Sequence, residues 1–156
     1  MQNDDDESRF RLLKLHAIDA EDLKTVAATT HASVLKRGDI AFDRGRRRFA
    51  LMMKRFRWEN DDLVDGVGGV RIHCGLQIND VTGVQAIGLD RVTPEGTLEL
   101  LNIDGEVTDS PAAQITMNFA GGYAIRLQTG CVDVLVDDIG RPWYTPNRPD
   151  HGTDQD

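Results

Sequence analysis

The sequence predicts an α+β domain that is predominantly antiparallel β: about eight strands in a bent sheet, sandwich or partly open barrel, with one N-terminal amphipathic helix. Three observations carry this. Turn-forming glycines recur about every ten residues from Gly38 to Gly130, and the short runs between them are β-branched or aromatic. Several runs alternate apolar and polar residues with the period of two that a half-buried strand requires. Helical periodicity is confined to one segment.

Taken in order, "MQNDDDESRF" reads as a disordered acidic leader over residues 1–9, ahead of a single domain at 10–140. "FRLLKLHAID" alternates Leu13, Leu15 and Ala17 with Lys14 and His16, which predicts a strand with Leu12 and Ile18 partly covered. Asp19 stands at a helix cap with Asp22 three residues on, both suited to the positive end of a helix dipole. Leu23, Val26, Ala27, Thr30 and Val34 follow at helical spacing, so the helix is expected over residues 20–35 and ends at "KRGD". "DIAF" then pairs through a turn at Asp43, Arg44 and Gly45 with the strand that follows.

The clearest alternation is "VRIHCGLQI", which places Val70, Ile72, Cys74, Leu76 and Ile78 on one face. In "QITMNFAGGYAIRLQ" a two-residue loop would set Met117 against Arg126. A three-residue connection aligns Ile115, Met117 and Phe119 with Ile125 and Leu127, with glycine supplying the positive φ. "CVDVLVDDIG" is a strand by the parity of Val132, Val134 and Val136. Pro142, Pro146 and Pro149 argue against regular structure in a tail at 141–156, whose start is docked by Trp143 and Tyr144 and whose end is disordered. The expected core is Val26, Val34, Phe49, Leu51, Ile72, Leu76, Ile115, Met117, Phe119, Ile125 and Val134.

Composition bounds the function. A chain of 156 residues is one domain long, and folding at that size removes roughly 68–70% of the unfolded surface from water. Apolar residues make up 40% and charged residues 28%, as in an ordinary soluble domain, and the net charge of −8 opposes general adhesion to DNA or anionic lipid. No apolar run approaches the roughly 18 residues of a membrane span, and the N-terminus lacks the features of a secretory signal. A cytoplasmic protein is expected. Cys74 and Cys131 are far apart and outside any CxxC pair, which predicts two buried, reduced thiols.

One stretch departs from this acidic balance. "DRGRRRFALMMKRFRWEN", residues 43–60, holds seven of the eighteen Lys and Arg residues. Phe49, Leu51 and Met53 are apolar at odd positions, but Phe56 and Trp58 are apolar at even ones, with Arg55 and Arg57 taking over the odd face. A β-bulge between Met53 and Arg55 would restore one apolar face. The basic residues then divide between the two faces among Asp43, Glu59, Asp61, Asp62 and Asp65, so a solvated strand face with cross-strand ion pairs is expected. Arg46, Arg48, Arg55 and Arg57 are the candidate binding residues, since Arg suits bidentate contacts with carboxylates.

Other constellations point to structure. His73 and Cys74 are neighbours on a strand and face opposite ways. Asp133, Asp137 and Asp138 lack a His or the spacing of a calcium loop, so no metal or other cofactor is expected. His16, His31 and His151 show no partner and read as bystanders. "DGVGGV" precedes a strand and lacks the Lys and Ser/Thr of a phosphate loop, so it reads as a flexible connection. No nucleophile elbow or HExxH occurs.

At "LKLHAIDAEDLKTVAATTHASVLKRGDIAFDRGRRRFALMMKRFRWE" and again at "NFAGGYAIRLQTGCVDVLVDDIGRPWYTPNRP" the chain resembles a family of short proteobacterial proteins known only as a domain of unknown function, over about residues 10–149. That resemblance implies a bacterial, cytosolic, single-domain protein and supplies no activity, cofactor or catalytic residue. A pleckstrin-homology-like barrel is one candidate fold, although the usual C-terminal helix is not visible.

The functional expectation is a non-catalytic binding or interaction module, without a membrane, whose partner is another protein or a second copy of itself, as in a homodimer. The alternatives are a small-anion binder or enzyme using Arg residues of the 46–57 strand, and an RNA-associated protein; nucleic acid ranks last.

Overall fold

The computed structural model describes residues 11–59 and 68–149. The acidic leader, the acids at 61, 62 and 65, the start of "DGVGGV" and His151 lie outside them.

Among the described residues ten strands, two more than expected, form one strongly bent antiparallel sheet with one α-helix. In chain order they are β1 (Lys14–Ala17), α1 (Asp22–Thr30), β2 (Ser33–Lys36), β3 (Ile40–Asp43), β4 (Arg48–Phe56), β5 (Gly69–Ile78), β6 (Val81–Ile87), β7 (Thr97–Asp109), β8 (Ala112–Phe119), β9 (Tyr123–Thr129) and β10 (Val134–Thr145). The sheet runs β1-β10-β5-β4-β2-β7-β8-β9-β6, with β3 also paired to β4. We call β1, β10, β5, β4 and β3 the front layer and β2, β7, β8, β9 and β6 the back layer. Their inner faces supply one core: Phe49, Leu51, Met53, Cys74, Leu76, Ile78, Val134 and Val136 from the front, and Leu98, Leu100, Ile103, Ile115, Met117, Phe119, Ile125 and Leu127 from the back.

The layers are joined by a ribbon of two strands that both turn the same corner. β5 pairs with β10 and β6 with β9, both antiparallel. At the bend Asn79 N–H donates to Asp133 O and Gly130 N–H to Asp80 O, each at 3.0 Å. Asp80 takes a φ of +57°, and the Asp80 carboxylate lies where a side chain at residue 130 would stand. Glycine there admits the close approach that the corner needs.

The three-residue connection is present: Phe119 pairs with Tyr123, and Ile115 and Met117 face Leu127 and Ile125. Gly121 and Gly122, with φ of +92° and +86°, make the turn. Of the expected core, Val34 alone is not buried.

Four expectations need correcting. The helix ends at Thr30, and "SVLK" is β2, where Ser33 and Leu35 are buried and Val34 pairs with Lys54 of β4 and Glu99 of β7. Pairing on both sides outweighs a local helical pattern. Leu12 and Ile18 are exposed. Asp19 does cap the helix entrance: its carboxylate accepts from Asp22 N–H at 2.8 Å while the Asp22 carboxylate accepts from Ile18 N–H at 3.0 Å. β10 continues through Pro142 to Thr145, because the proline falls in the register shift between Ile139 and Trp143, where no ladder donor is required. Finally, β4 has no bulge: Phe49 to Phe56 pair with Ile78 to Arg71 without a shift.

Leu23 and Val26 bury one side of α1. Leu23 occupies the space above Gly105 of β7. No α-helix follows β10 among the described residues, so the closing helix of a pleckstrin-homology-like barrel is not found there.

Candidate functional site

The unbroken register of β4 decides where its arginines go. With alternation maintained, Arg55 follows Phe49, Leu51 and Met53 into the interior, where its side chain is 0% exposed. Phe56 falls on the opposite face and is buried there by Trp58, at 4.6 Å between ring centroids, and by the guanidinium of Arg71.

A buried cation is tolerable only with partners that satisfy its charge and its donors. Arg55 has them. Its Nε and Nη2 donate to the two oxygens of Asp138 at 2.7 and 2.9 Å, a bidentate contact, and Nη1 donates to Glu59 Oε1 at 3.0 Å. Asp138 is itself held from outside: its Oδ2 accepts from Leu13 N–H, and its own N–H donates to Leu13 O, both at 2.9 Å. Arg57, also buried, donates from Nη2 to Arg11 O at 2.9 Å and lies 3.6 Å from Glu59.

Burial works against the charge on Arg55, but the hydrogen bonds it donates to Asp138 and Glu59 outweigh it and raise its pKa. Burial also disfavours ionised Glu59, yet its bonds to Arg55 hold its pKa below the ordinary value. A carboxyl depressed in the folded state adds stability above its unfolded pKa and loses it as pH falls through the folded value. Urea unfolding at pH 7 and again below about pH 4 is therefore expected to show a stability gap between wild type and Glu59→Gln that closes in acid. Cys74 lies beside this cluster. Burial and then the charge of Asp138 push its thiol up to about 12, so it stays protonated and unreactive as a nucleophile.

The four candidate arginines are thus not brought together. Arg46 and Arg48 are exposed at the β3–β4 hairpin, with Arg46 3.8 Å from Asp43 and Arg48 in register with Asp43. Arg55 and Arg57 are internal, which corrects the expectation of a solvated, ion-paired strand face.

An accessible concavity lies on the outer side of the front layer. It is a groove of about 400 Å³ lined by Ala41, Ala50, Met52, Gly75, Leu135 and Ile139, with Gln77 in its wall and Asp39 and Asp137 at its margins. Gly75 is the floor: a methyl group there would touch Met52 Sδ at 3.5 Å and Ile139 Cδ1 at 3.6 Å. Met52 and Ile139 are 39% and 46% exposed, large apolar side chains left open to water.

Beside this groove is a constellation that sequence reasoning missed. His16 Nε2 donates to Asp133 Oδ1 at 2.7 Å, Asn79 Nδ2 donates to Asp133 Oδ2 at 3.2 Å, and Gln77 Nε2 donates to Asn79 Oδ1 at 2.9 Å. His16 is therefore no bystander. Nor is His31, whose Nδ1 meets Leu101 O at 2.9 Å and whose carbonyl accepts from Trp58 Nε1 at 3.0 Å. His73 and Cys74 do face opposite ways, exposed and buried, and among the described residues no group of three His, Cys, Asp or Glu is placed to hold a metal.

A family model described as a protein of unknown function, DUF2948, matches residues 13–151. The chain belongs to that family. No curated protein and no solved structure matches it. In this DUF2948 chain the groove and the neighbouring His16–Asp133 pair are accessible from outside, whereas the Arg55 network is enclosed. No helix among the described residues is long and apolar enough to cross a membrane.

Proposed function

We propose that the chain is a non-catalytic binding domain that receives an apolar segment of a partner protein on the outer side of its front layer. The observation that carries this reading is the groove over Gly75, walled by exposed Met52 and Ile139. A concave apolar surface with a few polar groups at its margin is the usual form of a recognition site. The groups whose ionisation is most displaced, Arg55 and Cys74, are buried inside the sheet, where they serve the fold. Two free thiols suit a reducing compartment such as the cytosol.

The test is affinity capture from native extract with mass spectrometry, comparing wild type, the Met52→Glu/Ile139→Glu variant and the Arg46→Glu/Arg48→Glu variant. The groove variant is expected to lose the captured proteins and the arginine variant to keep them. The reverse pattern would overturn the reading in favour of an anion site at the hairpin.

The His16–Asp133 pair favours a second reading, an enzyme acting on a small molecule in the groove. A carboxylate fixed by Asn79 orients the imidazole of His16, as a general base requires. Turnover of a small molecule that His16→Ala abolishes, with the groove's ligand still bound, would establish it.

A further inference from the structure

We propose that the free edge of β6 is a self-association surface, on which a second copy of this chain adds its own β6 antiparallel and continues the back layer across a two-fold axis. The back layer ends at β6, and among the described residues no strand pairs with its outer edge. A free edge presents unpaired N–H and C=O groups, and proteins usually protect one with charge, proline or shortness.

Among the described residues β1 and β3 are protected in that way, and the stretch of β7 beyond its pairing with β2 carries Asp104, Glu106 and Asp109. β1 and β3 are four residues each; β1 carries Lys14 and His16, and β3 carries Asp43. β6 is seven residues, "VTGVQAI", without a charged residue or a proline, and its single irregularity, between Val81 and Gly83, leaves Val84 to Ile87 regular. Val84 and Ala86 pair with Leu127 and Ile125, so they lie on the core face of the layer, yet both are exposed. The apolar face runs on past the point where the described residues cover it.

A second copy fits this edge better than a foreign strand, because the edge is self-complementary. With the axis through Gln85, each Val84 faces the Ala86 of the other copy on the core side. On the outer side the two Gln85 amides face one another, and Ile87, 37% exposed, lies over the open space at Gly83. No like charges meet within the new strand pair, although each chain carries −8. On the outer side Arg126 of β9 stands opposite Gln85. Two copies of it would stand three strand spacings apart, about 14 Å, beyond the screening length of about 8 Å at physiological salt.

A pairing of this length falls at the small end of specific interfaces, so association in the micromolar range is expected. Sedimentation velocity of the full chain from about 1 to 300 µM should show the mass rising from 17.3 kDa toward twice that value. Ala86→Lys should hold the protein at the single-chain mass with its circular dichroism and thermal unfolding unchanged. In a Cys131→Ser background, Gln85→Cys should give a disulfide-linked dimer on mild oxidation, whereas Thr97→Cys, at an exposed position on β7, should not. A single-chain mass at the highest concentration would overturn the proposal. So would an association that Ala86→Lys leaves intact, or a Gln85→Cys variant that does not cross-link while the wild type self-associates.

Discussion

Asp138→Ala is expected to lower the unfolding free energy by about 3–5 kcal/mol, the range for removing one partner of a buried ion pair. The size comes from what is left behind. Arg55 is fully enclosed and depends on Asp138 for two of its hydrogen bonds, and Arg57 lies 4.0 Å from the same carboxylate. The substitution also removes the acceptor of Leu13 N–H and so loosens the hold of β1's approach on β10. Equilibrium urea unfolding measures the loss, and a change below about 1 kcal/mol would show that the pair behaves like an exposed one. The double variant Arg55→Met/Asp138→Leu should recover much of the loss, since replacing a buried pair by apolar groups of similar volume is often near neutral.

Gly69→Ala is expected to cost about 1–3 kcal/mol, the usual penalty for overfilling a packed site. The Phe56 ring occupies the position a Cβ on residue 69 would take. The ring is not free to swing away: it is fully buried, with Trp58 at 4.6 Å and the guanidinium groups of Arg71 and Arg148 within 6.0 Å of its centroid. Thermal unfolding of Gly69→Ala, Phe56→Leu and the double variant tests this. The two effects should fall well short of adding, because the smaller side chain vacates the space the new methyl group needs.

These two sites show which features were legible in the sequence. Alternation identified the inner faces of β5, β8, β9 and β10, because a strand with one wet and one dry face must alternate. It even fixed the three-residue turn before Tyr123, since only that loop aligns Met117 with Ile125. The same rule, trusted further, would have found the buried ion pair: Arg55 shares the parity of Phe49, Leu51 and Met53, and Asp138 that of Val132, Val134 and Val136. Two opposite charges on two apolar faces were the available signal. The apolar Phe56 and Trp58 at even positions suggest a bulge that β4 does not contain, because Trp58 and Arg71 cover Phe56 on the outer face.

Other features were not legible, because they depend on which strands become neighbours. The His16–Asp133 bond spans 117 positions and exists only because β1 pairs with β10. The helical reading of residues 33–35 failed for the same reason, since β2 is a strand by virtue of what lies on either side of it. The groove also arises from assembly: Gly75 reads as a gap in an alternating strand, and becomes a floor only when Met52 and Ile139 arrive from β4 and β10.

The position of β10 has a consequence for how the protein is made. It is the last strand of the described chain, yet it pairs with the first strand and with central β5, and it carries the carboxylate that Arg55 needs. A ribosome therefore releases every residue up to 137 before Arg55 can meet Asp138, and until then β1 has no strand partner among the described residues and β5 has one open side. Domains dominated by such distant pairings fold slowly and expose strand edges while they wait. Arrival of β10 is thus the step that closes the front layer: it gives β1 a partner, covers the open side of β5 and brings Asp138 to the buried Arg55.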